Sequence, residues 1–361
     1  MNVFVVNVGS GSLKLRVLNR NDDVVASEDL ARPEPAALAD VLGAFLDGHH
    51  DIDAAGHRVV HGGARFTRSL LLDESAEGAL GELADLAPLH NPPALAAIEA
   101  LTELRPELRQ VACFDTAFHA KMPARASTYA VPREWRDRWG IRRFGFHGLS
   151  HSWASRRAAE ILGTPIDQLR VVTAHIGAGA SLAAVSAGRS VDTTMGFTPM
   201  EGLVMATRSG SVDPGLVLWL QRHGGLSADE VQYTLEHESG LLGLAGSSSL
   251  HDVMDAMDEG DQDARLAYEV YVYRLQGSIA AMTAAMGGID ALVFTGGAGE
   301  REPRLRADTC AGLAFLGVGA LTHRNDESGG DRLISPGDIA VLVVAAREDI
   351  EIAGHVRQLL S

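Results

Sequence analysis

The chain has 361 residues, of which 46% are hydrophobic and 22% charged, as in an ordinary soluble globular protein. This length predicts two domains, because single hydrophobic cores of that size are uncommon. The formal net charge of −16 argues against binding to a nucleic-acid backbone, which requires a basic face. Any anionic substrate must therefore be attracted by a local cluster of basic side chains.

The sequence carries no signal for export or membrane insertion. Its N-terminus lacks a basic leader, and the apolar stretch at residues 339–346 is far shorter than the roughly 20 residues that span a bilayer. Cys113 and Cys310 lack the spacing of a disulfide framework or a zinc site and are typical of reduced thiols. We therefore expect a cytoplasmic protein that binds neither nucleic acid nor a membrane.

The first part of the chain predicts a β-hairpin followed by helices. Residues 3–8 form a continuous apolar strand that stops at a Gly-Ser-Gly-Ser tip, and residues 13–18 alternate apolar and polar side chains. A polar turn and a third strand follow. Helical patterns cover residues 35–46 and 78–86, and another helix begins at the Asn-Pro-Pro of residues 91–93.

A comparable unit recurs in the middle of the chain. A strand at residues 171–176 meets a Gly-Ala-Gly-Ala-Ser segment and continues at residues 182–185, which indicates an internal duplication. Residues 261–286 read as one long helix or two abutting ones. A strand at residues 291–295 ends in a glycine turn at residues 296–300, and the last helix begins near Glu348.

Three glycine-rich turns therefore follow buried strands, where backbone N–H groups can meet anions. None fits the P-loop or the dinucleotide fingerprint. A single turn of this kind is more often a steric requirement of a hairpin tip. Two such hairpins facing each other could hold the phosphates of a nucleotide, and the first one adds Asn7, Ser10, Ser12 and Lys14, whose polar groups suit phosphate.

Charged and histidine side chains also occur among apolar neighbours. Arg58 lies in a strand-like run, Asp115 between aromatic residues, and Arg208 in a glycine/serine loop. His147 and His151 are four residues apart where a helix begins, but no third zinc ligand lies between them. Each residue alone is more readily explained by a salt bridge or a buried histidine. Together they suit a small anion meeting a phosphate, with carboxylates holding Mg²⁺.

Eight segments, in the same order and nearly from end to end, give the chain a resemblance to the acetate kinase family. They are residues 7–14, 57–63, 86–93, 114–119, 144–151, 192–199, 201–214 and 293–300. The resemblance implies an α/β fold of two duplicated actin/Hsp70-like (ribonuclease H-like) domains, with mixed sheets around an interdomain nucleotide cleft. It assigns residues 1–117 and 350–361 to the N-terminal domain, and residues 118–349 to a C-terminal domain that carries much of the nucleotide site.

The resemblance also implies a homodimer that transfers a phosphoryl group reversibly from ATP to acetate, with Mg²⁺, by direct in-line attack. Arg58 and Arg208 would bind the carboxylate and stabilise the transition state, His147 would donate to the phosphoryl oxygens, and Asp115 would orient the substrate or an arginine. The other implied site residues are Asn7 and Glu348 for the metal; Val60, Leu89, His90, Phe146 and Pro199 for acetate; and Asn7, Ser10, Ser12, Lys14, His175, Gly177, Gly179, Gly296, Gly297, Gly299 and Glu300 for phosphate and nucleoside.

Departures from the family pattern fall on the nucleotide side. Ala178 and Arg301 stand where the family usually has asparagine, Gly11 where it has serine, and residues 346–347 where it has Thr-Asn. They leave open another donor, such as pyrophosphate. Propionate is open as a second acceptor, because one methylene changes discrimination by only about 1–3 kcal/mol. A catalytically impaired switch that binds nucleotide or acetyl phosphate is a further alternative.

Overall fold

The computed structural model of the chain describes residues 1–9, 12–49, 51–82 and 91–361. These residues form two compact units. Unit 1 comprises Met1–Ala120, Phe146–Trp153 and Arg347–Ser361, and unit 2 comprises Lys121–Gly145 and Ala154–Ala346. The domain boundaries expected from the sequence, after residues 117 and 349, stay predictions.

The described part of the chain alternates strands and helices. The strands are β1 (Val3–Val8), β2 (Ser12–Leu18), β3 (Val24–Ala31), β4 (Ala54–Val59), β5 (Leu70–Leu71), β6 (Arg109–Phe114), β7 (Arg170–Ile176), β8 (Ala180–Ser186), β9 (Arg189–Thr193), β10 (Ala291–Thr295), β11 (Arg332–Pro336) and β12 (Ala340–Val343). The helices are α1 (Pro35–Asp47), α2 (Glu74–Gly81), α3 (Asn91–Leu104), α4 (Ala124–Ser127), α5 (Arg133–Trp139), α6 (Gly148–Leu162), α7 (Pro214–His223), α8 (Ala228–His237), α9 (Gly240–Ala245), α10 (Leu250–Asp258), α11 (Gln262–Met286), α12 (Gly296–Arg301), α13 (Pro303–Ala311) and α14 (Glu348–Leu360).

In unit 1, helices cover both faces of the sheet. Strand β1 is apolar at nearly every position because it lies in the middle of the sheet, and only Asn7 is polar. Phe4 and Val6 point to one face, where α1 and α3 pack, whereas Val3 and Val5 point to the other face, where α14 packs. Helix α14 approaches β4 so closely that a Cβ on Gly56 would lie 2.5 Å from Ile352 Cγ2.

The two sheets share one topology. The order is β3-β2-β1-β4-β6-β5 in unit 1 and β9-β8-β7-β10-β12-β11 in unit 2. In each sheet the first three strands in chain order are antiparallel neighbours, the first, fourth and sixth are parallel neighbours, and the fifth lies antiparallel at the edge. The internal duplication expected from the sequence is therefore confirmed at the level of sheet topology.

Two sequence expectations differ from the structure. Residues 296–300 were expected to form a turn but begin the short helix α12, after Gly296 takes a positive φ of 79°. The helix expected at residues 78–86 is observed as α2, which ends at Gly81, and residues 83–86 lie outside the described residues. Residues 261–286 form one continuous helix, α11, after the N-cap Asp261. Within the described ranges, no helix is both long and apolar enough to cross a membrane.

Candidate active site

The parallel strands of unit 1 bring three of the predicted residues together. Asn7 is the next-to-last residue of β1, Arg58 holds the same place in β4, and Asp115 follows β6 directly. The carboxyl ends of parallel strands lie at one edge of a sheet, which is where ligands bind in open α/β sheets. The backbone N–H of Asp115 donates to the Val59 carbonyl at 3.1 Å, which extends the ladder to this edge.

Asp115 holds the guanidinium of Arg58 in a two-pronged hydrogen bond. Arg58 Nε donates to Asp115 Oδ1 at 3.0 Å, and Nη2 donates to Oδ2 at 2.6 Å. Burial raises the pKa of Asp115, and the charge and hydrogen bonds of Arg58 oppose that rise. Burial alone would lower the pKa of Arg58, but the charges of Asp115 and Glu348 outweigh it and raise that pKa above its usual value. The arginine therefore keeps its charge at this edge.

Glu348 completes what we call the strand-edge cluster: Asn7, Arg58, Asp115 and Glu348. Asn7 Nδ2 donates to Glu348 Oε2 at 2.8 Å, and Arg58 Nη1 lies 3.3 Å from Asn7 Oδ1 and 3.7 Å from Glu348 Oε2. Glu348 is the first residue of α14. Among the described residues, no group of three or more His, Cys, Asp or Glu side chains could hold a metal ion by itself.

The start of α6 is fixed against Asp115. Gly148 N donates to the Asp115 carbonyl at 3.0 Å, and a Cβ at position 148 would lie 2.0 Å from that oxygen. The preceding His147 takes a positive φ of 56°, an uncommon conformation for a residue with a side chain. The predicted residue His147 is therefore placed beside Asp115 by the backbone.

Two buried residues near His147 carry no charge near pH 7: Phe146, which precedes it, and His119, which is hydrogen-bonded to Phe146. The predicted acetate-site residue Phe146 is buried, and its carbonyl accepts from His119 Nε2 at 3.0 Å. Burial lowers the pKa of His119 to about 4, although this hydrogen bond opposes the shift. His119 is therefore neutral near pH 7. Val60, another predicted acetate-site residue, is also buried in this unit.

In unit 2, the predicted residues Arg208 and Pro199 contact each other. Arg208 Nη1 donates to the Pro199 carbonyl at 3.2 Å. Burial lowers the pKa of Arg208, while the charge of Glu236 opposes the shift.

A polar network that the sequence analysis missed supports the loop that carries Pro199. Arg143 Nη2 donates to Glu201 Oε1 at 2.6 Å, and the Tyr129 hydroxyl donates to the same carboxylate. A Cβ on Gly196 would collide with both Glu201 and Tyr129. A charged residue and a tyrosine so far apart in sequence give no local signal of this contact. A cavity of about 640 Å³ adjoins this network, and none of the predicted site residues lines it.

The two glycine segments of unit 2, which we call the glycine turns, lie side by side: residues 177–179 after β7 and residues 296–299 at the start of α12. Gly177 N donates to the Gly179 carbonyl at 3.0 Å, and a Cβ on Gly177 would lie 3.9 Å from Gly297 N. A Cβ on Gly296 would lie 3.2 Å from His175 Nε2. The predicted nucleotide residues of β7 and α12 are therefore brought to one place.

Side chains behind α12 hold its glycines in position. Glu300 Oε1 accepts from the Ala346 N–H at 3.0 Å, and burial raises the pKa of Glu300 although this hydrogen bond opposes the shift. The buried Arg306 donates through Nη1 to the Gly299 carbonyl at 2.8 Å. Arg306 was not among the predicted residues, because the sequence does not show that its side chain turns back to the glycine segment.

A cavity of about 560 Å³ opens beside these turns. Gly177, Gly297 and Ala298, which lie in predicted glycine segments, form part of its wall. The other lining residues were not predicted as site residues: Ala178, Ala206, Leu241, Ser248, Ser249, Leu250, His251, Tyr271, Arg301 and Glu302. The one local signal was the run of three serines before α10, of which Ser249 caps that helix.

The remaining predicted residues lie in the first hairpin or outside the described residues. Lys14 is opposite Asn7 in the β1–β2 ladder and is exposed, and the Ser12 carbonyl accepts from Gly9 N at 2.8 Å. Cross-strand partners share a face of the sheet, so Lys14 and Asn7 lie on the same side. Ser10, Leu89 and His90 lie outside the described residues.

Comparison with known proteins agrees with this architecture. The model of the acetokinase family matches residues 36–354. An acetate kinase of Pseudothermotoga lettingae is 41% identical over 395 aligned residues, which cover all of this chain and 98% of that protein.

Solved structures match over the full length. The crystal structure of Porphyromonas gingivalis acetate kinase matches with a TM-score of 0.90 and 36% identity over the whole of both chains. A propionate kinase from Francisella tularensis matches with a TM-score of 0.90 and 34% identity over 98% of each chain. These matches confirm the expected α/β fold of duplicated domains. The chain belongs to the acetokinase family and is a phosphotransferase with a carboxyl group as acceptor.

Proposed function

We propose that this chain is a cytoplasmic acetate kinase, which transfers the γ-phosphoryl group of ATP reversibly to acetate and gives acetyl phosphate and ADP. The names of its full-length relatives support acetate as the acceptor. The observation that carries the proposal is the strand-edge cluster, in which the buried Asp115 orients Arg58 beside Glu348 and Asn7. A fixed cation next to oxygen ligands suits a reaction between two anions.

The acceptor needs no general base in this mechanism. A carboxyl group is ionised near pH 7, so its oxygen can attack the γ-phosphorus directly. The new oxygen–phosphorus bond forms as the bond from phosphorus to the bridging oxygen breaks, and ADP leaves with that electron pair. Catalysis then depends on positioning the reactants and on neutralising their charge.

Arg58, held by Asp115, would supply that positioning together with His147 and Arg208. Asp115 holds Nε and Nη2 of Arg58, and we assign the more weakly bonded Nη1 to the oxygens of the transferring phosphoryl group. His147, whose backbone is fixed beside Asp115, would donate to the same group. Arg208 of unit 2 would bind the substrate carboxylate, as the family resemblance implies.

Asn7 and Glu348 fit a magnesium ion. Mg²⁺ prefers oxygen ligands and is usually held by one or two carboxylates together with substrate phosphates. The Glu348 carboxylate and the Asn7 amide belong to one hydrogen-bonded group, joined at 2.8 Å. When bound, the ion would neutralise charge on the donor phosphates.

The cavity beside the glycine turns favours ATP over pyrophosphate as the donor. Its volume of about 560 Å³ and its apolar lining residues Leu241, Leu250 and Tyr271 suit a nucleoside. Pyrophosphate is charged throughout and would gain nothing from apolar walls.

We propose acetate as the acceptor, with propionate as the alternative. Val60, Phe146 and Pro199, which the family resemblance assigns to the acceptor, are apolar and buried in their respective units. Apolar side chains suit a methyl group, and one additional methylene changes discrimination by about 1–3 kcal/mol. The Francisella tularensis relative is named a propionate kinase, so both acids need to be tested.

We also propose that the chain forms a homodimer through α7. This helix reads Pro-Gly-Leu-Val-Leu-Trp-Leu-Gln-Arg-His and has no buried residue, and Trp219 is 56% exposed. Exposed Tyr233 on the neighbouring α8 extends the apolar surface. A helix that is apolar on several sides usually lies in an interior, and a large exposed apolar patch usually marks an interface.

The deciding experiment measures acyl phosphate formation from acetate and from propionate, with ATP and with pyrophosphate as donors. We expect ATP-dependent turnover with acetate, and a fall in kcat of about 100-fold or more in Arg208→Ala, because a charge-stabilising donor is lost. Arg189→Ala, an exposed arginine in the same unit, is the matched control and should retain activity. Turnover with pyrophosphate alone would show that ATP is not the donor. No turnover with either donor would favour the alternative of a catalytically impaired switch that binds nucleotide or acetyl phosphate.

A further inference from the structure

The guanidinium of Arg301 folds back over the glycine turn of α12. Arg301 is the last residue of that helix, and its Nη2 lies 2.9 Å from the position that a Cβ on Gly297 would occupy. Arg301, Gly297 and Gly177 line the same cavity of about 560 Å³. The side chain therefore lies close to the point where the two glycine turns meet.

Within the described part of the chain, Arg301 forms no salt bridge. Burial raises the pKa of the neighbouring Glu300, and the Ala346 N–H, which donates to Glu300 Oε1 at 3.0 Å, and the charge of Arg301 oppose that rise. The two following arginines are both engaged: Arg304 pairs with Asp258 at 2.8 Å, and Arg306 donates to Gly299 at 2.8 Å. Arg301 is thus an available cation at the cavity wall.

We propose that Arg301 binds a phosphate group of the donor nucleotide where the two glycine turns meet. This inference rests on the proposed function, because it assumes that the cavity receives ATP or ADP. A planar guanidinium binds phosphate oxygens through two parallel hydrogen bonds. The facing turn has Ala178 at its tip, which offers no side-chain donor, so the cation comes from the α12 side. A local cation is also needed because the net charge of −16 repels a nucleotide.

The test measures the affinity of the intact protein for ADP, AMP and adenosine by isothermal titration calorimetry. Arg301→Gln retains most of the side-chain length but removes the charge. We expect it to weaken ADP binding about tenfold or more, AMP binding less, and adenosine binding less than twofold, because the lost hydrogen bonds are charge-assisted. Arg301→Lys should bind ADP more tightly than Arg301→Gln but less tightly than the wild type. An ammonium keeps the positive charge but cannot form the two parallel hydrogen bonds of a guanidinium.

Arg304→Gln is the matched control, because this exposed arginine on α13 pairs with Asp258 and does not line the cavity. It should leave all three affinities unchanged. Equal weakening of adenosine and ADP in Arg301→Gln would place Arg301 on the nucleoside and overturn the proposal. Unchanged ADP affinity would make Arg301 a solvated surface residue and overturn it as well, as would a wild-type protein that binds no ADP.

Binding and turnover separate this inference from the proposed function. Phosphate-dependent loss of affinity in Arg301→Gln, in a wild-type protein that does not phosphorylate acetate, would support the inference and refute the acetate kinase proposal. Normal ATP-dependent acetyl phosphate formation with an unchanged KM for ATP in Arg301→Gln would support the proposed function and refute the inference.

Discussion

Replacing Asp115 should change stability and activity mainly through Arg58, its ion-pair partner. Asp115→Asn would leave the guanidinium without its charged partner, and breaking a buried ion pair on one side typically costs about 3–5 kcal/mol of stability. The misoriented Arg58 would also stabilise the transition state less, so we expect kcat to fall about 100-fold or more. Steady-state kinetics together with urea unfolding measure both effects.

The matched control for that prediction is Asp290→Asn. Arg170 and Asp290 form the same kind of fork, with hydrogen bonds of 2.7 Å and 3.1 Å, but both side chains are about one-third exposed. Exposed ion pairs contribute about 0–1 kcal/mol, so stability and kcat should change little. Comparable losses of activity in both variants would show that Asp115 has no special role in orienting Arg58.

Two buried histidines make the stability of the protein depend on pH. Burial lowers the pKa of His57 to about 4 and that of His119 to about 4, and a hydrogen bond opposes the shift in each case. Between pH 6.5 and pH 4 the unfolded chain therefore binds protons that the folded chain does not. Stability should fall with falling pH in that window, by about 1.4 kcal/mol per pH unit for each histidine, and the loss should level off below pH 4.

His57→Gln tests this directly, since glutamine retains a polar group near Gln110, the present partner of His57 at 2.7 Å. Urea unfolding at pH 7, 6, 5 and 4.5 should show a shallower fall for the variant than for the wild type. His251→Gln, at an exposed position, should follow the wild-type curve. Parallel curves for His57→Gln and wild type would contradict the assignment of this pH dependence to His57.

At the scale of elements, the sequence predicts buried strands more readily than it predicts segments whose structure depends on contacts with distant residues. Strand β1 could be read directly, because a buried central strand is apolar along its whole length. Helix α12 could not, because its sequence Gly-Gly-Ala-Gly-Glu-Arg has poor intrinsic helix propensity. Its ends are instead fixed by Glu300 and Arg306, whose partners are distant in sequence or turn back to the segment.

The same distinction applies to the candidate site. Arg58 and Asp115 are conspicuous in the sequence as charged residues among apolar neighbours, but their roles in the site followed from the family resemblance. The parallel strands β4 and β6 place them together. The Tyr129–Glu201–Arg143 network and the walls of the nucleotide-side cavity come from several loops and helices. Apart from the serines before α10, no sequence period or motif marks such residues, so only the folded chain shows them.

The start of α6 requires glycine at position 148. Gly148→Ala would place a Cβ 2.0 Å from the Asp115 carbonyl, so the backbone of His147 and Gly148 would have to move. We expect a loss of about 1–3 kcal/mol in stability and a lower kcat, because His147 and Asp115 would no longer be held together. Thermal unfolding and steady-state kinetics measure the two effects.

Gly354→Ala is the control for this prediction, because a Cβ at that position in α14 would meet no atom within 4 Å. Replacing a helical glycine by alanine should leave activity unchanged and raise stability by about 0.5–1 kcal/mol. Full activity and stability in Gly148→Ala would show that the contact with Asp115 is not needed.

At the scale of the whole molecule, the two units share one sheet topology but have different residues at the corresponding edge of the sheet. In unit 1 the ends of the parallel strands hold the strand-edge cluster, whereas in unit 2 the corresponding edge holds the glycine turns and a cavity. The topology of each sheet specifies where a ligand site can form, and the side chains at that edge specify which ligand fits. Duplication of the fold therefore did not require duplication of the site.

The last prediction concerns the oligomeric state. Helix α7 carries large apolar side chains that the rest of the described chain leaves exposed. Leu216, Leu218 and Trp219 are each more than 40% exposed. A second copy that covers this surface would remove their apolar area from water, at about 25 cal/mol per Å². Trp219→Glu should therefore convert a dimer into a monomer, because a charge buried in the interface without a partner is costly. Light scattering after size-exclusion chromatography measures the mass directly.

Phe315→Glu provides the comparison, since Phe315 is 74% exposed on a different element and lies outside this surface. It should leave the mass of the assembly unchanged. A wild-type protein that is monomeric at micromolar concentration, or a Trp219→Glu variant that remains dimeric, would show that α7 is not the interface. If only Trp219→Glu is monomeric, its kcat tests whether each protomer carries a complete site. A monomer that still forms acetyl phosphate uses no residue of a partner.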